Sequence, residues 1–200
     1  MMRSLCGIAP EITFKKVVLL SALLISFTGV PTVSAADKVA GEQLASNCVG
    51  CHGAKGQSTH AQWPNLAAQT QPYIVNQLNA FKSGKRTNSM MQAMASNLSE
   101  EDMSNLAAYF ASQAPASAGG DTGLATVGQG KAAMCLGCHG SNAQGQGAFP
   151  RLAGQHSDYT ASQLNNFKVG ARKGGPMQGV ASSLSEADIK ELSAYFGTLK

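Results

Sequence analysis

The sequence CVGCH at residues 48–52 recurs as CLGCH at residues 135–139. In both copies two cysteines are separated by two residues, and a histidine directly follows the second cysteine. On a helix this spacing places the two thiols about one turn apart, with the histidine beside them. Four of the five cysteines in the 200-residue chain lie in these motifs, and the fifth is Cys6. The two motifs therefore carry the main chemical signal of the sequence.

The pattern C-x-x-C-H is the attachment sequence for c-type haem. Its two thiols can add to the two vinyl groups of the porphyrin, while the adjacent histidine turns inward to bind the iron. We therefore predict two covalently bound haem c groups, each containing iron. The predicted thioether and histidine-ligand residues are Cys48, Cys51, His52, Cys135, Cys138 and His139.

Four cysteines also permit three other arrangements, namely two local disulfides, a four-thiolate zinc site or a thioredoxin-like redox pair. None of the three requires a histidine directly after both cysteine pairs. A thioredoxin-like site also belongs to a pattern of strands and helices, which this sequence lacks. The motifs therefore favour haem attachment over these alternatives.

The second feature is an internal repeat, because the segment around residues 77–110 recurs around residues 163–196 at an offset of 86. The haem motifs match at an offset of 87, so one residue was gained or lost in a surface loop between His52 and Pro64. The chain is therefore a tandem duplication. Matched pairs include Gln77/Gln163, Phe81/Phe167, Gly84/Gly170, Arg86/Arg172, Met91/Met177, Ser99/Ser185 and Tyr109/Tyr195.

The repeat also selects a sixth ligand for each iron. An iron that carries electrons without binding small molecules needs a closed coordination sphere, and methionine opposite histidine is the expected ligand. Met91 and Met177 match each other, whereas Met90 and Met94 match no methionine in the second copy. We predict Met91 and Met177 as iron ligands in a loop rich in glycine and polar residues, and Met90 and Met94 as packing residues.

Both copies have helical periodicity and no convincing strand alternation. Gly84 and Gly170 are predicted to end one helix in each copy, and Ser99 and Ser185 to begin the last helix. We predict an all-α fold with three or four short helices in each domain. Domains this small bury little apolar surface, so a large internal cofactor would help to stabilise them.

The first residues have the pattern of a secretory signal peptide, in which basic residues precede an apolar run and a stretch of small residues. The apolar run is shorter than the roughly 20 residues that a membrane-spanning helix needs; an uncleaved anchor is the alternative. The segment after the first copy is rich in Ala, Gly and Pro and is predicted to be an exposed linker. The predicted boundaries are 1–35 (signal peptide), 36–114 (first domain), 115–123 (linker) and 124–200 (second domain).

The formal charge of the whole chain is +4, and it falls to +2 without the leader, which carries three basic residues and one acidic residue. The chain has no concentrated basic stripe, so a nucleic-acid partner is not indicated. His60 and His156 are predicted to be surface residues. Two small basic clusters are predicted to be solvated helix ends, with docking sites as the alternative: Lys82, Lys85 and Arg86, and Lys168, Arg172 and Lys173.

With these residues the chain resembles the class I cytochrome c fold, and specifically the dihaem cytochrome c₄ family, over essentially all of its mature length. The resemblance implies two tandem class I cytochrome c domains, each a small helical fold around a covalent haem with histidine and methionine ligands. The implied ligand pairs are His52/Met91 and His139/Met177.

The resemblance also implies that a proline carbonyl accepts a hydrogen bond from each histidine ring, here at Pro64 and Pro150. Simple turn geometry is the alternative role for these prolines. The first and last helices of each domain are expected to cross where a glycine admits an aromatic ring, at Gly41 with Tyr109 and at Gly128 with Tyr195.

In function the resemblance implies a periplasmic electron carrier, not an enzyme, that passes electrons in respiration from a redox protein to a terminal oxidase. The sequence leaves a peripheral association with the membrane open. Two other functions also stay open, a dihaem peroxidase in which one haem admits peroxide and a sensor in which one methionine dissociates. The matched methionines argue against the peroxidase.

Overall fold

The computed structural model describes residues 35–200, so the predicted signal peptide, apart from its last residue, and Cys6 lie outside the described part. These residues form ten α-helices, two short 3-10 helices and one isolated β-bridge, and they contain no strand. None of the helices in this range is long and apolar enough to cross a membrane. The all-α prediction is confirmed.

The two halves of the chain contain the same helices in the same order. The first half contains α1 (Lys38–Ala45), α2 (Val49–His52), α3 (Gln71–Lys82), α4 (Ser89–Ala95) and α5 (Glu100–Ala111). The second half contains α6 (Thr122–Lys131), α7 (Ala133–His139), α8 (Ser157–Lys168), α9 (Met177–Ser182) and α10 (Glu186–Thr198). Each half has more helices than predicted, because a helix of one or two turns is too short for periodicity to reveal.

The predicted helix ends are confirmed. Gly84 and Gly170 follow α3 and α8 with φ of 73° and 76°, a left-handed conformation that glycine adopts without steric cost. Ser99 and Ser185 begin α5 and α10, and each forms a capping box with the acidic residue three positions later. These caps satisfy backbone N–H groups that the first helical turn leaves without partners.

In each half the first helix crosses the last helix at a glycine. A Cβ atom on Gly41 would lie 2.0 Å from the carbonyl oxygen of Asn105, and one on Gly128 would lie 2.1 Å from that of Glu191. The predicted crossings are present, and each glycine makes room for the partner's backbone. A Cβ on Gly41 would also lie 2.9 Å from the Cβ of Tyr109, whereas Tyr195 is not among the nearest neighbours of Gly128. Only glycine permits this approach.

Each half has its own apolar core, and each core is open on one side. Leu106 and Phe110 of the first core, and Leu192 and Phe196 of the second, are almost fully buried and also line a large cavity. The helices thus form two apolar shells around an internal space. This agrees with the expectation that each small domain needs a cofactor to complete its interior.

The segment between the halves is exposed at most of its residues, but part of it packs on the second half. Ala116 is buried, and the backbone N–H of Ala118 donates to the carbonyl oxygen of Gly154. Helix α6 begins at Thr122, two residues before the predicted second domain. We propose that domains at 36–114 and 124–200 are joined by a segment that packs on the second domain.

Candidate haem sites

A cavity of about 2330 Å³ is lined by residues of both halves, including both C-x-x-C-H motifs. Pockets for one drug-sized ligand are usually roughly 300–1,000 Å³, so this space suits more than one large cofactor. Its walls include Cys48, Cys51, His52, Met91, Cys135, Cys138, His139 and Met177. The fold therefore gathers every residue that the sequence predicts as a haem ligand or attachment point.

The cysteines have the state that haem attachment requires. All four are free thiols, so the local disulfides considered above are absent from the described residues. Burial, followed by the nearby Cys51, raises the pKa of Cys48, and burial, followed by Cys138, raises the pKa of Cys135. No three His, Cys, Asp or Glu side chains within residues 35–200 converge to hold a metal ion, which disfavours the four-thiolate zinc site.

The histidines are held in one orientation by backbone carbonyl groups. Nδ1 of His52 lies 2.9 Å from the oxygen of Pro64, and Nδ1 of His139 lies 2.8 Å from the oxygen of Pro150. A carbonyl oxygen can only accept, so Nδ1 carries the proton and Nε2 keeps its lone pair for a metal. This geometry matches the hydrogen bonds that the resemblance implied for both prolines.

Both histidines are buried, with exposed fractions of 9% and 5%. Burial lowers the pKa of His52 and of His139, although the bonds to the proline carbonyls partly oppose this shift. Both rings are therefore neutral near pH 7, and neutral imidazole is the form that ligates metals.

The two methionines predicted as ligands lie on short helices. Met91 is in the first turn of α4, where Asn88 caps the helix by accepting from the Met91 backbone N–H, and Met177 is the first residue of α9. The predicted loop position was therefore wrong. Met90 and Met94 are 55% and 44% exposed and line the same cavity.

The cavity also contains a buried polar group without a partner. Arg151 is only 9% exposed, and its Nε donates to the carbonyl oxygen of Ala153, but its Nη2 atom has no hydrogen-bond partner among residues 35–200. A guanidinium without an anion is costly to bury. Haem c carries propionate carboxylates, so this orphaned donor and the free thiols both fit a bound haem.

The two halves meet through matched amide side chains that sequence reasoning missed. Gln69 accepts from the backbone N–H of Arg151 and donates to its carbonyl oxygen, at 2.7 and 3.0 Å. Gln155, the counterpart of Gln69 in the repeat, makes the same two bonds to Asn65, at 2.8 and 3.0 Å. Each glutamine thus forms hydrogen bonds with one backbone N–H group and one carbonyl oxygen of the other half. This reciprocal arrangement resembles a two-fold symmetric dimer interface.

Arg86 and Arg172 lie at the same interface and are not the solvated helix-end residues that we predicted. Arg172 is only 8% exposed and Arg86 is half-buried. Each guanidinium stacks on a phenylalanine of its own half, 4.6 Å from the ring centre of Phe81 and 4.5 Å from that of Phe167. The arginines therefore belong to the interior between the halves.

His156 was also predicted as a surface residue, and this was wrong. Its ring Nε2 donates to the carbonyl oxygen of Ser58 in the other half, at 2.9 Å, and the side chain is half-buried. His60 is exposed as predicted, and its ring stacks on Trp63 at a centroid distance of 4.4 Å. His156 has no histidine counterpart in the first copy, so the repeat gave no reason to assign it a role. A single contact between the halves, such as that of His156 with Ser58, does not need a counterpart.

Comparison with known proteins supports this architecture. The sequence profile of the family described as cytochrome c matches residues 39–114 and 128–200. Cytochrome c4 of Pseudomonas aeruginosa is 38% identical over 86% of this chain and 93% of its own length. A protein described as thiosulfate dehydrogenase electron acceptor, from Stutzerimonas stutzeri, is 34% identical over 78% of this chain and 80% of its own.

A solved structure gives the same result for the fold. The crystal structure of reduced recombinant cytochrome c4 from Pseudomonas stutzeri superposes with a TM-score of 0.77 and 37% identity. The match covers 83% of this chain and all of that one. The family match in both halves, with a C-x-x-C-H motif in each, accounts for two covalently bound haem c groups. This chain belongs to the cytochrome c family and, within it, to the dihaem cytochromes c4, which are electron-transfer proteins.

Proposed function

We propose that this protein is a periplasmic electron carrier of respiration that passes electrons to a terminal oxidase and turns over no substrate. One observation carries the proposal: both histidines and both matched methionines line the same cavity, one pair in each half. A site with both axial positions filled by the protein transfers electrons but leaves no position for a substrate.

In this proposal His52 and Met91 hold the first iron, and His139 and Met177 hold the second. The bound haem supplies a one-electron iron couple. The proline carbonyls fix the histidine rings, and the same ligands in both oxidation states keep structural reorganisation small. The methionine thioether favours reduced iron, which raises the reduction potential.

Export to the periplasm is supported by the leader pattern of residues 1–35. In this proposal all four motif cysteines form thioether bonds to haem, so none of them is available for a disulfide. Covalent attachment keeps the haem with a protein that works outside the cytoplasm.

A second candidate concerns the electron donor. The relative described as thiosulfate dehydrogenase electron acceptor is 34% identical over most of both chains. A thiosulfate-oxidising enzyme is therefore a candidate source of electrons. This role is compatible with delivery to an oxidase, because one partner reduces the carrier and the other oxidises it.

The experiment uses the haem-loaded protein obtained from the periplasmic fraction. Mixed in the reduced form with membranes that contain a terminal oxidase, it is expected to be oxidised rapidly, and an inhibitor of the oxidase is expected to stop the reaction. With thiosulfate and thiosulfate dehydrogenase, the oxidised protein is expected to become reduced if the second candidate is right. Oxidation by the membranes at the rate of autoxidation in buffer would contradict the role as oxidase donor.

A further inference from the structure

Three side-chain hydroxyl groups lie where α8 packs against α10 in the second half. Ser157 and Thr160 belong to α8, and Ser193 belongs to α10. The hydroxyl of Ser157 donates to the carbonyl oxygen of Ser193 at 3.1 Å. Thr160 follows Ser157 by three residues, so both lie on the same side of α8. Thr160 and Ser193 therefore belong to one contact between two helices.

Two of these hydroxyls are buried without a hydrogen-bond partner among residues 35–200. Thr160 is 7% exposed and Ser193 is 1% exposed, yet neither Thr160 Oγ1 nor Ser193 Oγ forms a hydrogen bond in this range. A helical serine or threonine can donate to the carbonyl oxygen four residues earlier, but neither residue makes that bond here. A buried hydroxyl without a partner is destabilising, so this contact is expected to bind a small polar ligand.

The first half has apolar residues at the same two positions. At the repeat offset of 86, Thr160 matches Ile74 and Ser193 matches Ala107. Both Ile74 and Ala107 are buried and belong to the apolar core of the first half. Isoleucine also carries a terminal methyl group that threonine lacks. The space that this methyl group fills in the first half is available to a small ligand in the second.

Water is the ligand that fits this contact. An internal water molecule typically forms about three hydrogen bonds, and the hydroxyls of Ser157, Thr160 and Ser193 are three groups that can each donate or accept. A bridging water joins polar groups that are too far apart to bond directly. All three hydroxyls are neutral, so they favour a neutral ligand over an ion.

This contact also borders the space for the second haem. Thr160 lines the cavity, as Ile74 does in the first half, whereas Ser157 and Ser193 lie behind the wall. The two halves thus present different surfaces at equivalent positions. The wall is apolar at Ile74 and polar at Thr160.

We propose that Ser157, Thr160 and Ser193 bind one internal water molecule in the second half, and that this water lowers the reduction potential of the second haem. The site lies within the second half and not between the halves. The proposal deepens the proposed function as an electron carrier, but it rests on haem attachment in the second half and not on the identity of any partner.

The effect on the potential has an electrostatic cause. Oxidation of a haem increases the positive charge on the iron, and nearby dipoles that can orient stabilise the more highly charged state. The polarity of the surroundings is one of the factors with which a protein sets a haem potential. A bound water and the hydroxyls that hold it therefore favour the oxidised second haem, whereas the apolar pair in the first half has no such effect.

The first test measures both potentials of the haem-loaded protein in a redox titration followed by NMR, which assigns each potential to its haem. Thr160→Val keeps the shape of the side chain without the hydroxyl, and Ser193→Ala introduces the first-half residue. Each variant is expected to raise the potential of the second haem and to leave the first unchanged. Thr126→Val is the control and should shift neither, because the exposed Thr126 bonds to the Thr122 carbonyl oxygen and lies outside the cavity wall.

The first half permits the reverse experiment. The double variant Ile74→Thr/Ala107→Ser recreates the polar contact there and is expected to lower the potential of the first haem alone. Thermal unfolding gives a further readout of the parent site. The Tm of Thr160→Val is expected to fall, because the hydroxyls of Ser157 and Ser193 then lose a shared water.

A crystal structure of the haem-loaded parent that shows ordered water tests the site directly. A water bonded to Thr160 Oγ1 and Ser193 Oγ is expected, with none between Ile74 and Ala107. The proposal would be overturned if Thr160 and Ser193 instead donated to carbonyl oxygens of their own helices, or if Thr160 bonded to a haem propionate, with no water between them.

Two further results would count against the proposal. A rise in Tm in both Thr160→Val and Ser193→Ala would show that the hydroxyls are unsatisfied, because replacing an unsatisfied hydroxyl by an apolar group is stabilising. A second-haem potential equal to that of the parent in both variants would overturn the effect of the water on the haem. A protein that fails to react with an oxidase but gives the expected water and shifts would remove the proposed function and keep this site.

Discussion

The Cys51→Ala variant, exported and matured with the parent leader, is expected to carry less than two covalent haems per chain, with the loss confined to the first half. Cys51 provides one of the two thiols in the first motif, and alanine cannot add to a vinyl group. The first half then lacks a firmly attached cofactor to fill its cavity, and the core residues that line it lose their packing partner. The second motif is unchanged, so about one haem per chain is expected to remain fully attached.

The measurement is the haem content after denaturation, when only covalent haem stays with the chain. Cys138→Ala is the matched variant in the second half and is expected to give the mirror result. Gly50→Ala is the control, since a Cβ at Gly50 meets no atom within 4 Å and the motif keeps both thiols. Two fully retained haems in the double variant Cys48→Ala/Cys51→Ala, which has no thiol in the first motif, would contradict attachment at this motif.

The Met91→Ala variant is expected to keep both haems but to open the first one to carbon monoxide. In the proposed ligand set the Met91 thioether is the ligand most easily replaced, because His52 is fixed by the Pro64 carbonyl and would lie beside two thioether bonds. Loss of the thioether also removes its preference for reduced iron, so the potential of the first haem is expected to fall. About half of the reduced haem absorbance should respond to carbon monoxide, because one haem in two is affected.

Met90→Ala is the control for this assignment. Met90 precedes Met91 in α4, lines the same cavity, and its sulfur lies 4.0 Å from that of Cys51. The Met90→Ala variant is expected to leave both haem irons closed to carbon monoxide. The Met177→Ala variant is expected to open the second haem alone. If Met90→Ala opened the first haem and Met91→Ala did not, the ligand would be Met90.

The attachment residues and the helix ends could be predicted because their signals are local in sequence. The C-x-x-C-H motif needs five adjacent residues, and the caps at Ser99 and Ser185 need four. Selection of Met91 over its neighbours needed only the register of the repeat, and the structure places Met91 and Met177 on the cavity wall. Their ligation stays a prediction.

The surface between the two halves could not be predicted, because its contacts join residues far apart in sequence. Gln69 and Gln155 bond to backbone groups, which every residue carries, so no side-chain pattern marks their partners. Arg86 lies near two lysines in the sequence, a pattern that favours a solvated cluster. Its match with Arg172, together with the matched Gln77 and Gln163, was the available signal. Matched polar residues that are not iron ligands suggest a role that both halves share.

The short helices α4 and α9 were missed for a different reason. Seven and six residues do not give a helical period, and the glycine-rich sequence before Met177 is typical of a loop. The packed segment at Ala116 was missed because small residues suit an exposed linker and a tight backbone contact equally well.

The most direct test of two closed haem sites is the visible spectrum of the reduced, periplasmically matured parent protein, recorded with and without carbon monoxide and calibrated for haem per chain. We predict two c-type haems per chain and a spectrum that carbon monoxide does not change. A spectrum in which carbon monoxide shifts one of the two haems would contradict the closed-site account and would favour an enzyme or a sensor.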